Sequence, residues 1–284
     1  MEASTEPATR THVRISPRSG WLLPSFREIW QYRELVAFMA LRDIRLRYKQ
    51  TALGVAWAVI QPLMTMVVFS IFLGRLAGIK TDGGIPYPLF CLVGLLPWQL
   101  FAYSLNQASL SMVAEQNLIT KVYFPRLIIP LAAILAGLAD FTIAFALTLV
   151  FMLVFAGNFT VTWAVVLVPV FVMLAVVTAF SVGLWLASLN IKYRDIRYTL
   201  PFLTQIWMFI SPVGYPSSLV PAEWQFVYGL NPLVGVVEGF RWSLLGAPAP
   251  SAVLMLASLG MVAVLLVTGL MYFRKLERTF ADVI

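Results

Sequence analysis

Six long apolar stretches restrict the folds that are open to this chain of 284 residues. They cover residues 52–73, 87–108, 127–155, 161–189, 199–213 and 252–273. A helix of about 20 apolar residues crosses the hydrocarbon core of a bilayer, because its backbone polar groups are satisfied within the helix. The sequence therefore predicts an all-α polytopic membrane protein with six transmembrane helices, of which the fifth is short.

The composition agrees with a membrane protein, since only 12% of the residues are charged, against about 25% in soluble domains. One apolar segment, residues 214–248, is interrupted by prolines and carries Glu223, Glu238 and Arg241. Irregular backbone at membrane depth is tolerated only where protein or water covers it. We therefore interpret this segment as short re-entrant helices before the last span.

The basic residues indicate the orientation of the spans. With six spans and a cytoplasmic amino terminus, 17 of the 20 Lys and Arg residues fall in cytoplasmic segments. The exceptions are Arg75, Lys80 and Arg241. Cytoplasmic loops carry such an excess of basic residues. We therefore expect a multi-pass protein of the cytoplasmic (inner) membrane with both termini in the cytoplasm.

Residues 25–50 predict an amphipathic interface helix ahead of the first span. Ser25 and Glu28 fit a capping box at its start. A basic cluster closes it: Arg42, Arg45, Arg47 and Lys49. Such a helix lies in the membrane interface, either as a lipid anchor or also against a cytoplasmic partner. Residues 1–24 are expected to form a cytoplasmic tail, and residues 51–284 the six-span domain.

Several polar and aromatic residues inside the spans are candidates for a channel or gate. Asp140 lies near the middle of the third stretch, where a charged carboxylate costs on the order of 3 kcal/mol. It is expected to face the bundle interior or be protonated, as a gate residue or in an interhelical hydrogen bond. Trp98, Tyr103, Gln205 and Trp207 would suit a conduit for a glycan, although aromatic residues also form interfacial belts.

The sequence offers little for catalysis. The single cysteine, Cys91, and the single histidine, His12, argue against a Cys/His zinc site and against histidine-assisted nucleophilic catalysis. The nearest string to a phosphate-binding loop, GRLAGIKT at 74–81, has the wrong spacing and falls on the outer face. We predict no catalytic, cofactor or metal site, so any ATP would be bound by a separate subunit.

Four segments resemble the type 2 ABC-exporter permeases, in the branch of the O-antigen, capsule and teichoic-acid exporters. They are RDIRLRYKQTALGVAWAVIQPL (42–63), IPYPLFCLVGLLPWQLF (85–101), NLITKVYFPRLIIPLAAILAGLADF (117–141) and NIKYRDIRYTLPFLTQIWMFISPVGYP (190–216). The resemblance runs from about residue 30 to the carboxyl end. Its motifs are specific to the family and less so to one substrate.

The resemblance implies a transport subunit rather than an enzyme. Two copies would form a homodimeric channel for a lipid-linked polysaccharide, with two ABC ATPase subunits beneath them. The chain would contact membrane lipids and no nucleic acid. By position, residues about 115–124 correspond to the family's coupling helix, residues 25–47 to its interface, or gate, helix, and residues 214–248 to its outer-face re-entrant helices.

Two short loops on the predicted cytoplasmic face are candidates for contact with the ATPase subunits. The residues assigned to this interface are Glu115, Asn117, Lys121, Tyr123, Phe124, Arg194 and Asp195. Pro125 disfavours helix at the residue before it, so the first loop ends a short helix at a corner. Tyr123 and Phe124 are predicted to fit a groove on the ATPase.

Two alternatives remain open. In the first, the chain is a permease of the same kind, but its substrate is teichoic acid, capsule, a drug or a lipid instead of O-antigen. In the second, the chain is a membrane-embedded polyprenol-dependent transferase. A transferase needs carboxylates that act together near the interface. Glu115, Asp140 and Asp195 are the available candidates, and they lie far apart in the sequence.

Overall fold

A computed structural model describes residues 26–49, 54–122, 124–155, 157, 160 and 162–277. These residues form helices joined by turns, and no β-strand occurs among them. The all-α prediction is therefore confirmed for the part of the chain that is described. The predicted tail at 1–24, Ser25 of the predicted cap, and Tyr123 lie outside the described residues.

The described residues contain eleven α-helices. They are α1 (Phe26–Gln31), α2 (Arg33–Lys49), α3 (Ala56–Phe69), α4 (Tyr87–Ala114), α5 (Gln116–Lys121), α6 (Ile128–Val154), α7 (Val168–Lys192), α8 (Ile196–Ile210), α9 (Gln225–Gly229), α10 (Pro232–Leu245) and α11 (Ala252–Glu277). A π-helical extension, Ser70–Leu76, continues α3 without a break.

Five of the described helices are long and apolar enough to cross a membrane: α3 with its extension, α4, α6, α7 and α11. The predicted fifth span forms α8, which has only 15 residues. At about 1.5 Å per residue it is roughly 22 Å long, less than the ~30 Å hydrocarbon core. A polytopic helical architecture is thus established, whereas the count of six spans depends on α8 and stays a prediction.

The centre of the bundle is the pair α4 and α7. In the most apolar stretch of α4, 78% of the residues are buried, compared with 11% in α3. Small residues let α4 and α7 approach closely, as a Cβ added to Gly183 would lie 2.8 Å from the Ala108 Cβ. Close packing of this kind holds membrane helices together where lipid provides no hydrophobic drive.

Basic side chains collect at one end of the bundle, which we call the basic end. There α2, α5 and the adjoining ends of α4, α6, α7 and α11 pack around one apolar cluster. It includes Val36, Met112, Ile119, Phe124, Ile128, Leu184 and Phe273. The structure thus brings together the segments that the charge pattern predicts on one face. Arg75 lies at the other end, where the extension of α3 meets the start of α4.

The segment 214–248 forms two 3₁₀ turns, then α9 and α10. α10 has 14 residues, too few to cross the core, and packs against α4, α7 and α11. Asn231 caps it by accepting a hydrogen bond from the Leu233 N–H at 3.1 Å. Gly246 ends it at φ 63°, a left-handed conformation that glycine adopts without steric cost.

Candidate functional site at the basic end

A cavity of about 620 Å³ opens at the basic end between α2, α4 and α6. Its lining mixes apolar side chains with charged and polar ones, and the latter include Arg42, Asp43, Arg47, Tyr103, Gln107 and Glu115. Of this set, Tyr103 and Glu115 are predicted site residues. The structure thereby joins one predicted channel residue and one predicted interface residue in a single cavity.

The cavity lies near the edge of the apolar layer. α3 and its extension contain 21 residues, or about 30 Å of helix. Their far end meets Tyr87, whose ring lies 3.0 Å from the position that a Cβ on Gly74 would take. Along the bundle, the start of α3 is therefore about 27 Å from the level of Tyr87. Because α4 runs antiparallel to α3, the start of α3 is level with Tyr103 and Gln107 of α4. The rest of α4 extends beyond the apolar layer toward the basic end.

Glu115 stands at the break between α4 and α5, and its carboxylate is bound by α2. Arg42 donates a hydrogen bond to Glu115 through Nη2. Its Nε and Nη2 also donate to Asp43 Oδ1, at 3.0 and 2.8 Å. The hydrogen bond to Glu115 is the main cause of the raised pKa of the Arg42 guanidinium. This contact ties α2 to the corner from which α5 projects.

A second group joins the end of α2 to α6 and α4. The Arg47 Nη2 lies 2.5 Å from Asp140 Oδ2, and the Tyr48 hydroxyl donates a hydrogen bond to Asp140 Oδ1. The Arg47 guanidinium carbon is 4.1 Å from the centroid of the Tyr103 ring, within range of a cation–π interaction. Burial, and then the bond to Asp140, raise the pKa of the Tyr48 hydroxyl.

Arg42, Arg47, Tyr48, Glu115 and Asp140 are called the basic junction below. Asp140 lies near the middle of α6 (Ile128–Val154), as the sequence predicts, and the end of α2 reaches it there through Arg47 and Tyr48. Of the two roles open for Asp140, the structure shows the interhelical contact.

The helix α2 presents apolar side chains on two faces rather than one. Val36, Met39 and Ala40 are buried toward the bundle. Phe38 and Leu41, which point away from it, are 67% and 52% exposed. The predicted amphipathic pattern is therefore not confirmed, because apolar residues also occupy the outward face. Most of the charged residues of α2 are near its end, and Arg42, Asp43 and Arg47 of these line the cavity.

The predicted ATPase-contact residues of the first loop have different surroundings. Asn117 and Lys121 are exposed on α5. Glu115 is engaged by Arg42. Phe124 is only 6% exposed and belongs to the apolar cluster at the basic end. The groove contact predicted for Phe124 is therefore not available in this conformation, and the ring instead anchors the start of α6.

The second loop presents its charged residues to the outside. Arg194 and Asp195 are exposed in the turn between α7 and α8. The Arg197 guanidinium lies 4.8 Å from the ring centroid of Tyr198, which is itself 71% exposed. Because α7 ends within the cluster at the basic end, this loop lies at the same end as α5.

The predicted channel residues fall into two groups. Trp98 is 5% exposed, and it and Trp207 both pack against Phe101, with ring centroids 5.7 and 5.0 Å from it. The Trp207 indole also donates to Asn231 Oδ1 at 2.9 Å. Tyr103 and Asp140 instead meet at the basic junction. Gln205 stands apart from both groups, exposed on α8.

Three residues of the basic junction, Arg42, Arg47 and Tyr48, are absent from the predicted site. The sequence analysis gives Arg42 and Arg47 a role in orientation, because a basic cluster before a first span has that role in many membrane proteins, and assigns them no contact within the bundle. Asp140 was the sequence feature that could have indicated these residues, since a carboxylate in an apolar stretch needs a partner. The basic cluster ahead of the first span was the obvious source of one.

The chemistry of this site is that of contacts between helices. Its two carboxylates are each bound by an arginine. Among the described residues, no group of three or more His, Cys, Asp or Glu is placed to hold a metal ion. What the arrangement provides is a mechanical link, since α5 and α2 are joined to each other and to the long helices α4 and α6.

Comparisons with known proteins extend these observations. The profile of the family described as "ABC-2 type transporter" matches residues 34–245. The O-antigen export system permease protein RfbA of Myxococcus xanthus is 30% identical over 259 residues, 90% of this chain and 97% of that protein. The protein of the same name from Klebsiella pneumoniae is 26% identical over 252 residues, 88% of this chain and 95% of its own.

A further relative is named for a different substrate. The polysialic acid transport protein KpsM of Escherichia coli is 28% identical over 207 residues, 72% of this chain and 78% of that protein. The family match covers α2 through α10, including the basic junction, and confirms the resemblance that the four motifs indicate. This chain belongs to the ABC-2 type transporter family.

Proposed function

We propose that this chain is the permease subunit of an ATP-driven exporter that moves a lipid-linked polysaccharide, such as O-antigen, across the cytoplasmic (inner) membrane. The observation that carries the proposal is the position of α5. This helix is exposed at the basic end, on the corner between α4 and α6, and the Arg42–Glu115 pair ties that corner to α2. The names of the similar RfbA proteins support the choice of substrate.

In this proposal, ATP is bound and hydrolysed by two separate ABC subunits beneath the basic end. They contact α5 through Asn117 and Lys121, and the second loop through Arg194 and Asp195. A displacement of α5 acts on Glu115, and thereby on α2 and the cavity beside it. The same displacement reaches α6 through the short turn at Pro125.

The surface of α3 and α8 supports a homodimer. Both helices pack on one side of α4, in a cluster that includes Met66 and Leu200. Their outer faces expose apolar side chains together with Gln61 and Gln205. An amide facing lipid lacks hydrogen-bond partners, so polar groups within spans face protein or a water-filled path. A second copy on this surface would enclose such a path.

The same proposal includes six spans with both termini in the cytoplasm. α8 counts as the fifth span, with the segment 211–217 completing the crossing. The collection of Lys121, Lys192 and Arg274 at one end supports a cytoplasmic basic end. α10 then lies toward the outer face, as a re-entrant helix.

Other substrates of the same transport mechanism remain the principal alternative, because KpsM is named for polysialic acid. Teichoic acid, capsule, a drug or a lipid would pass through the same architecture. A polyprenol-dependent transferase is less well supported. Glu115 and Asp140 are each bound by an arginine, so neither is free to pair with Asp195 in acid–base catalysis.

Affinity purification tests the ATPase contact. A tagged chain from mild detergent should retain an ATP-hydrolysing subunit, and Lys121→Glu should reduce its recovery more than about tenfold. Its effect on stability should stay within about 0.5 kcal/mol because the side chain is exposed. The matched control is Lys275→Glu, a charge reversal of another exposed lysine at the basic end. Wild-type chain that never retains an ATPase would contradict the proposal.

Depletion of the chain from its own cell tests the substrate. Labelled lipid-linked glycan should accumulate on the cytoplasmic side, and surface glycan should disappear. Restoration by the wild-type chain is the control. Normal surface glycan after depletion would point to the other substrates instead.

A further inference from the structure

A second pair of charged residues lies at the opposite end of the bundle, on α10. Arg241 is fully buried, and Glu238 is 5% exposed. Charged side chains buried at membrane depth are costly unless they are paired and hydrogen-bonded. The role of this pair therefore follows from what it binds.

The Arg241 guanidinium joins two backbone carbonyls and a carboxylate. Its Nη1 donates to Glu238 Oε1 at 3.1 Å and to the Tyr215 carbonyl at 3.2 Å. Its Nη2 donates to the Val213 carbonyl at 2.7 Å. Its carbon lies 3.5 Å from the ring centroid of Phe90 on α4, in cation–π range.

The backbone held in this way is the segment 213–217, which follows the end of α8. Glu238 accepts a hydrogen bond from the Ser217 N–H at 3.2 Å. Tyr87 of α4 donates its hydroxyl to the Gly214 carbonyl at 2.5 Å. Irregular backbone at membrane depth needs partners for each of its polar groups. We call Glu238, Arg241 and the segment 213–217 the buried clamp.

Two glycines make room for the buried clamp. A Cβ on Gly94 of α4 would lie 2.7 Å from Arg241 Nη2 and 2.9 Å from the Val213 oxygen. A Cβ on Gly214 would lie 2.7 Å from Leu73 Cδ1 on the extension of α3. The close approach means that α3, α4 and α10 all confine the chain just beyond α8.

We propose that Arg241 and Glu238 are positioning residues for transport, which fix the end of α8 remote from the basic end to α4 and α10. Because that end is fixed, α8 responds to motion at the basic end by pivoting rather than by shifting as a whole. The proposal rests on the proposed function in one respect, namely that α8 borders the transport path.

Hydrogen exchange of the purified chain in lipid nanodiscs tests the fixed end without any ATPase. Arg241→Lys keeps the charge but loses the fork that reaches two carbonyls, and Gly94→Ala displaces the guanidinium from the other side. Both should accelerate exchange across 207–217 by more than about tenfold, with little change in α2 and α5. Arg75→Lys, on the exposed end of the α3 extension, is the matched control. Uniform acceleration, or acceleration that stops short of α8, would overturn the proposal.

Export per ATP hydrolysed, in proteoliposomes with the ATPase subunit, tests the consequence for transport. Folded Arg241→Lys and Gly94→Ala complexes should hydrolyse ATP at near the wild-type rate, with export per ATP reduced more than about fivefold. A group that only stabilises the fold would leave this ratio unchanged in the folded fraction, and that result would overturn the proposal. Absence of export by the wild-type complex would count against the proposed function alone, since the exchange result does not depend on it.

Discussion

The basic junction and the buried clamp are both built from arginine–carboxylate pairs, but in different surroundings. In the basic junction, the side chains of Arg42 and Glu115 are 34% and 21% exposed. In the buried clamp, those of Arg241 and Glu238 are 0% and 7% exposed. Water competes for a partly exposed pair and screens it, so such a pair contributes little. Removing one member of a buried pair leaves a charge without a partner, which is strongly destabilising.

The two regions also differ in what the arginines hold. In the basic junction they bind side chains from other helices, and these contacts can be exchanged by rotating a few bonds. In the buried clamp, Arg241 binds backbone carbonyls, so its loss leaves the chain itself unsatisfied at membrane depth. The comparison indicates an adjustable end and a fixed end in one bundle.

The largest effect should come from Arg241→Met. This change leaves Glu238 and the Val213 and Tyr215 carbonyls without their donor, and should lower the free energy of unfolding by about 3–5 kcal/mol. Thermal unfolding in detergent measures it. Arg75→Met, at an exposed site, should change stability by less than about 0.5 kcal/mol. A loss below about 1 kcal/mol for Arg241→Met would remove the contrast between the two regions.

An intermediate effect is expected for Asp140→Asn. The amide keeps an acceptor for the Tyr48 hydroxyl but removes the charge that Arg47 neutralises, so the loss should be about 1–2 kcal/mol. The same unfolding measurement applies, and Thr142→Val on an exposed site of α6 is the control. A loss as large as that of Arg241→Met would show that the basic junction is as fixed as the buried clamp.

The smallest effect should be the coupling between Arg42 and Glu115. A double-mutant cycle with Arg42→Met and Glu115→Gln should give about 0.2–1 kcal/mol, because both side chains are partly exposed. Raising the salt concentration to about 1 M should reduce it further, since the screening length falls to about 3 Å. A coupling that is large and insensitive to salt would contradict the description of this contact as adjustable.

Much of the fold was predictable because lipid imposes a simple rule. Long apolar runs must become helices, and α3, α4, α6, α7 and α11 follow that rule. α8 is harder, because Pro212 and the irregular segment after it end the helix early. Phe124 illustrates a different limit of prediction from sequence. An aromatic residue at a corner between helices is equally consistent with a surface for a partner protein and with a buried anchor. Its burial depends on α2, α7 and α11, which lie far away in the sequence.

The candidate site was predictable only in part. The sequence identified Asp140 as a carboxylate within a span, Tyr103 as an aromatic channel candidate, and Glu115 by its place in the first cytoplasmic loop. It did not identify their partners on α2. Pairing between α2 and α6 joins residues that are 92 positions apart, as for Tyr48 and Asp140. No local periodicity reports such a contact.

The sequence by itself determined that the chain is helical and membrane-embedded, that most of its basic residues share one face, and which family its motifs resemble. The first two follow from local composition, since hydration and helix geometry act on every segment separately, and the resemblance follows from the motifs themselves. Only the tertiary structure decided that Asp140 meets the end of α2, and that Arg241 holds the chain beyond α8. A buried charge takes whichever partner packing brings within reach, and that choice is made when the helices assemble.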